Sequence, residues 1–249
     1  MRRQLILLLS VVIQVTALAP LTTIGTGTDW VRIAEEDAVP LFADFRADVP
    51  VLHGERVRLE PLSEAHAADL AVTAEEDRAA YGFTVVPRAD EVGDLIAAHL
   101  ERAKTVGMVP FAQVRVSDGV AVGITTYWDP RFWPDRPDEL CAIEIGWTWL
   151  AASAQRTGIN TEAKFLLLRC AFETLQVARV DLKTDARNKR SWRAIEGIGA
   201  KHEGVLRSWS PSRVPGEEGR MRDSAIFSVI TAEWPEVKAG LRRKLDRQG

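Results

Sequence analysis

The chain has 249 residues, 46% hydrophobic and 27% charged, with a formal net charge of −3. That is room for one large domain or two small ones around an ordinary core, and it excludes a global electrostatic pull toward nucleic acid or anionic membrane. Two cysteines, Cys141 and Cys170, give no disulfide framework, and the four histidines (His53, His66, His99, His202) are too scattered for a metal site, so no metal is expected.

In chain order, basic Met1-Arg2-Arg3 precedes the nearly all-apolar stretch from Leu5 to Ala19. This resembles a signal peptide or short anchor. Three readings stay open. Cleavage after Ala17 or Ala19 would export the protein, although Pro20 disfavours the second site. A membrane span would be short and interrupted by Gln14 and Thr16, so membrane contact is confined to residues 5–19. An upstream translation start would add a segment foreign to the domain. Thr- and Gly-rich residues 22–28 and an acidic stretch with Pro40 and Pro50 follow. Residues 1–52 therefore read as an extension outside the domain core, 53–236 as one domain, and 237–249 as a basic tail.

Within the domain, Val57 and Leu59 alternate with Arg56, Arg58 and Glu60, which predicts a strand with one wet face. Ser63 precedes a capped helix start, residues 75–88 are ambiguous, and Ala89 to Thr105 reads as a helix with Val92, Leu95, Ile96 and Leu100 on one face. Phe111–Val116 and Val120–Tyr127 flank Asp118-Gly119, a hairpin signal. Three prolines between Asp129 and Glu139 predict a loop. Cys141–Leu150 reads as a strand, Asn160–Leu175 as a helix, Val180–Thr184 as a strand, and Asn188–Ile198 as a helix stopped by Gly199. Two strands, Lys201–Leu206 and Ser224–Thr231, complete the order. The expected fold class is α/β in the α+β sense: a mixed, mostly antiparallel twisted sheet flanked by helices.

The chemistry concentrates where strand 141–150 runs through Ala154-Gln155-Arg156-Thr157-Gly158-Ile159-Asn160-Thr161 into a helix. A helix N-terminus offers unpaired amides and a favourable dipole for an anion, and Gly158 permits a tight turn. Such a joint suits a pyrophosphate, with Arg156 adding charge. Neither a P-loop nor a dinucleotide-binding glycine motif is present.

Gln155-Arg156-Thr157-Gly158-Ile159-Asn160 resembles the acetyl-CoA signature Q/R-x-x-G-x-G/A of the GNAT superfamily of N-acetyltransferases. Thr161-Glu162-Ala163-Lys164-Phe165-Leu166, Ile143 to Trp147, Asn188 to Glu196, Gly199 to Gly204 and Arg222 to Ser228 are similar to the branch containing the ribosomal-protein N-terminal acetyltransferases. The resemblance spans about residues 53–236, with motifs in the family's order. One departure is Asn160, where Gly or Ala is preferred; Asn tolerates unusual backbone angles.

The resemblance implies acetyl-CoA as co-substrate and a primary amine as acceptor, on a protein N-terminus or a small molecule. One central strand would splay from its neighbour and expose backbone to the pantetheine near Trp147, Thr148 and Trp149. The pyrophosphate would lie on the amides of Arg156, Thr157, Gly158, Ile159, Asn160 and Thr161, beside Gln155. The amine would attack the thioester directly, so catalysis would be positioning plus two proton transfers. Glu144, flanked by Ile143 and Ile145, is the candidate base; the alternative is a salt-bridge partner on a wet sheet face. Ser191 is the candidate donor to the departing thiolate because the helix lacks the family's Tyr; the alternative is an ordinary first-turn residue. Asn188 suits a pantetheine contact, a plain helix cap, or both. Trp128, Trp133 and residues 129–139 suit an acceptor rim, whereas Trp147 and Trp149 share one face and suit core. A cytoplasmic location follows from the co-substrate, and a homodimer is compatible. Two rivals remain: a non-catalytic CoA-binding module, and a membrane-tethered or exported protein of other function.

Overall fold

The computed structural model describes residues 41–247; the apolar stretch 5–19 lies outside them. Eight strands form one sheet in the order β1-β2-β3-β4-β5-β6-β8-β7. They are β1 (Leu52–His53), β2 (Val57–Pro61), β3 (Val109–Arg115), β4 (Ala121–Trp133), β5 (Arg136–Leu150), β6 (Arg179–Asp185), β7 (Lys201–Pro211) and β8 (Met221–Ile230). Every neighbouring pair is antiparallel except β5 with β6, which run parallel. A parallel pair needs a crossover, and here it contains helix α4 (Ile159–Arg169).

Both sheet faces are covered, so the central strands are apolar on both sides. Along β3, Val109 and Phe111 enter one core while Ala112 and Val114 enter the other. The near face carries α2 (Ala67–Ala74) and α3 (Val92–Thr105), whose Leu70 and Ile96 pack with Ile124 and Trp149. The far face carries α4 and α6 (Trp234–Asp246), whose Leu166, Leu167, Trp234 and Leu241 join Tyr127, Ile143, Val180 and Phe227. Helix α5 (Lys189–Glu196) adds Ile195 to that core.

Three places differ from the expectation. Core packing begins before residue 53: helix α1 (Phe42–Ala47) buries Phe42 and Phe45, with Phe45 edge-on to Tyr127 at 6.4 Å and Phe42 near Phe132 at 6.0 Å. Two aromatics one helical turn apart suffice to anchor a segment whose surroundings are polar. The expected loop 129–139 is instead the end of the β4–β5 hairpin, with Arg131 opposite Ala142 and Phe132 opposite Leu140. Asp129, at φ +51°, accompanies a shift of register there, and such a bulge admits Pro130, which cannot donate to a ladder. The basic tail does not stand apart from the domain: it belongs to α6, which packs on the core through Val237 and Leu241 with Arg242 and Arg243 outward.

One tie fixes the start of α4. The buried Glu162 carboxylate accepts backbone N–H bonds from Glu55 (3.0 Å), Arg56 (2.7 Å) and Val57 (2.8 Å), where the chain enters β2. Gly54 makes room for it, since a Cβ there would lie 2.5 Å from Glu162 Oε2. Glu162→Ala would strand three donors, so a stability loss of about 3 kcal/mol is expected. Urea unfolding of the two proteins checks this, and an unchanged midpoint would refute it.

Candidate active site

The loop before α4 has the geometry of an anion nest. Arg156 (φ +63°) and Gly158 (φ +89°) both adopt left-handed backbone around Thr157, and Gly158 is the N-cap of α4. Among the described residues, the amides of residues 156–161 have no hydrogen-bond acceptor; the first tied amide is Glu162 N, to Gly158 O at 2.9 Å. Consecutive free amides at a helix start, with an exposed Arg156, fit a pyrophosphate. Gln155 is fixed on the strand side, donating to Leu150 O at 3.0 Å, and its Oε1 accepts from Arg190 at 3.2 Å. Arg190 also donates to Tyr81 O at 3.2 Å and, with Lys189 and Asn188, lines a cavity of about 380 Å³ beside the loop. Sequence reasoning passed over Arg190 and Lys189, which gain proximity to the loop only through the crossover.

The strand feeding this loop is splayed. β5 pairs with β6 only at residues 142–144, whereas β6 keeps its β8 partner out to Asp185. Beyond Glu144 the β6-facing backbone of β5 is therefore unpaired among the described residues. A bulge accompanies the splay: Thr126 pairs with Gly146 but Ile124 with Trp149, one extra residue on β5, and Trp147 turns to φ +50°. Gln113 supports it, its side-chain amide donating to Ile124 O and Trp149 O at 3.1 Å each. Gly123 permits the close approach, since a Cβ there would meet Trp149 O at 2.2 Å.

From the far face the bulge is held by a lysine of the Thr161–Leu166 motif to which the resemblance gave no role. Lys164 is buried on α4, and its Nζ donates to Thr148 Oγ1 at 2.7 Å and Thr125 Oγ1 at 3.1 Å, hydroxyls themselves 2.8 Å apart. No carboxylate lies within ion-pair distance of it among the described residues, and burial pushes its ammonium down to about 7. The available signal was position: Lys164 lies three residues before Leu167 and seven before Ala171, both buried.

On the near face, Glu144 is opposite Trp128, and opposed residues of an antiparallel pair share a face. Its carboxylate leans along β5: a Cβ on Gly146 would lie 3.1 Å from Glu144 Oε1. Lys183 Nζ stands 2.6 Å from Oε2, a charge contact without hydrogen-bond alignment, so Oε2 has no aligned donor. Burial pushes the Glu144 carboxyl up, the Lys183 charge opposes this, and Asp129 and Asp181 reinforce it. Glu144 thus has the salt-bridge partner of one reading, but it is buried and not on a wet sheet face.

The tryptophans divide. Trp149 is buried against Tyr81 in the near-face core, whereas Trp147 is half-buried, 5.6 Å from His99 and 6.0 Å from Trp128. Trp128 thus stands beside Trp147 on the near face, while Trp133 sits at the hairpin tip against Arg136. Asn188 caps α5, its Oδ1 accepting from Ser191 N at 3.0 Å, and its side-chain nitrogen makes no bond among the described residues. The half-buried Ser191 hydroxyl likewise makes no hydrogen bond among them.

Residues 56–201, which contain this strand-loop-helix joint, match a known family model, that of the acetyltransferase (GNAT) domain. The chain belongs to the GNAT acetyltransferase family. A GCN5-related N-acetyltransferase from Brucella melitensis is 27% identical, covering 80% of this chain and 86% of its own, with a TM-score of 0.67. A protein from T. thermophilus assigned as an acetyltransferase is 36% identical over 80% of this chain and 98% of its own, at TM-score 0.62. Mycobacterium smegmatis RimJ, solved with CoA-disulfide, shares the fold at 20% identity and TM-score 0.60, covering 76% of this chain and 88% of its own. GNAT acetyltransferases use acetyl-CoA, and the free amides of residues 156–161 and the unpaired edge of β5 fit such a molecule. Among the described residues no helix is long and apolar enough to cross a membrane.

Proposed function

We propose that this GNAT protein transfers the acetyl group of acetyl-CoA directly to a primary amine, at the cleft where β5 parts from β6, in the cytoplasm. The observation that carries the reading is the continuity of an anion nest, an unpaired strand edge and a buried carboxylate along one strand-loop-helix segment. The amides of residues 156–161 and Arg156 would hold the pyrophosphate, and the edge at Trp147 to Trp149, with Asn188, the pantetheine. Acetyl-CoA supplies an activated thioester; the chain supplies position and proton management. Glu144, raised by burial, is suited to take the proton of an incoming ammonium. Ser191, whose hydroxyl makes no hydrogen bond among the described residues, would donate toward the leaving sulfur from the helix that Asn188 caps. The complex of RimJ with CoA-disulfide supports the co-substrate assignment by fold likeness.

Calorimetric titration of acetyl-CoA into the full chain tests the reading, together with thiol release across a panel of amines. Micromolar binding is expected, lost in Gly158→Trp and weakened about tenfold in Arg156→Ala. Binding without thiol release from any amine would favour a non-catalytic CoA-binding module.

A further inference from the structure

The near-face mouth of the cleft carries an unusual charge arrangement. Trp147, turned out by the bulge, has two guanidinium groups against its ring, with Arg213 Cζ 4.3 Å and Arg102 Cζ 5.5 Å from the centroid. They come from different elements, Arg102 from α3 and Arg213 from the connection between β7 and β8. Neither has a carboxylate within 4.0 Å among the described residues, although the chain forms many such pairs elsewhere; Arg102 bonds only Ala98 O, at 3.3 Å. Arg222, bonded to Ser210 at 2.9 Å, adds a third like charge nearby. Like charges gathered together repel, and burial together with Arg102 and Arg222 pushes the Arg213 guanidinium down. Stacking on an indole covers the face of a guanidinium and leaves its in-plane N–H donors free, the geometry that takes a carboxylate with two parallel bonds.

The acidic groups of the same face are deeper or already engaged. Asp181 is paired with Arg131 and Arg179, and Asp129 lies near Arg131. Glu144 sits beside Gly146, whose missing side chain makes room for its Oε1, 3.1 Å from where a Cβ would lie. His99, edge-on to Trp147, donates from Nδ1 to Leu95 O of its own helix, 2.9 Å away. The cleft thus offers a carboxylate at its floor and two uncompensated guanidinium groups at its rim, separated by one tryptophan.

We propose that Arg102 and Arg213, presented on Trp147, bind an oxyanion of the acceptor, so that the preferred substrate is an amine bearing a carboxylate a few bonds from its nitrogen. The inference rests on the reading of the chain as an amine acetyltransferase and narrows its acceptor. The carboxylate can belong to a free amino acid or to an acidic residue at the start of a peptide. Both present an ammonium toward Glu144 and an anion toward the arginines, and neither a neutral amine nor a polycation does so.

Steady-state thiol release by the full chain tests this with matched acceptors: amino acids beside their C-terminal amides, and peptides with Asp or Glu in the first two positions beside their Asn or Gln counterparts. In at least one series the acidic member should have kcat/KM about tenfold higher or more. The series that shows the preference identifies the source of the carboxylate. Arg102→Gln and Arg213→Gln should each bring that ratio toward one, mainly through KM, with the calorimetric affinity for acetyl-CoA retained as a check on folding. Equal rates within every pair, or a preference that survives both substitutions, would overturn the inference while leaving the acetyltransferase reading intact. Failure of every acceptor despite acetyl-CoA binding would remove both.

Discussion

Glu144→Gln is expected to lower kcat by about 10²- to 10⁴-fold, the usual span for loss of a positioned acid or base. The substitution keeps the shape of the side chain, so packing against Gly146 and the bulge should survive. A carboxyl raised above its ordinary value of 4.5 is protonated at low pH and becomes a base only above its shifted value. The wild-type kcat/KM should therefore fall at acid pH along a limb displaced upward from the usual carboxylate range. The Gln variant should lack that limb, with acetyl-CoA affinity little changed. A pH–rate profile of both proteins decides the matter. If the variant keeps the wild-type rate and limb, Glu144 is a partner for Lys183 and nothing more. Lys183→Met separates the two roles further: removing the opposing charge should push the limb to still higher pH.

Lys164→Met is expected to make the protein more stable and less active. The folded lysine loses its proton near 7, whereas in the unfolded chain it does so near 10.5. Between those values the unfolded state holds the extra proton, so wild-type stability rises with pH across the window. Below pH 7 both states are charged and the full penalty of burying an ammonium applies, on the order of a few kcal/mol. Met matches the volume without the charge, and Thr125 and Thr148, 2.8 Å apart, still bond each other. The gain in melting temperature should thus be largest near pH 6 and shrink toward pH 10. The accompanying loss, read as weaker acetyl-CoA binding and lower kcat, follows because Lys164 braces the bulge at Trp147 and Thr148. Stability sacrificed at a working site is a common trade. A variant destabilised equally at pH 6 and pH 10 would show that the lysine is not buried at a cost.

Much of this site was legible from residues alone because its parts are local. The nest is contiguous, Gln155 to Thr161, and a glycine before a helix announces both the turn and the free amides. Asn188 as a helix cap is likewise a matter of three residues. The apolar run of residues 141–150 read as a strand, and strands interleaved with crossing helices gave the expected mixed sheet. The hairpin end was misread as a loop because three prolines dominate residues 129–139, and bulges that accommodate proline leave little mark on composition. The early start of the core was hidden for a related reason, since only Phe42 and Phe45 in that segment face inward.

Sequence by itself determined most of the order of elements, through periodicity, offered a loop on which a pyrophosphate would fit, and pointed to the family through the resemblance of short motifs. Only the tertiary structure decided what surrounds the cleft. Glu144 became a buried carboxylate beside Lys183, Lys164 a brace beneath the bulge, and Trp147 the platform for Arg102 and Arg213. These partners lie tens of residues apart along the chain, and their meeting depends on which strand neighbours which and where one extra residue turns β5. A side chain's burial and charge environment are properties of that assembly, and no pattern within a single segment encodes them.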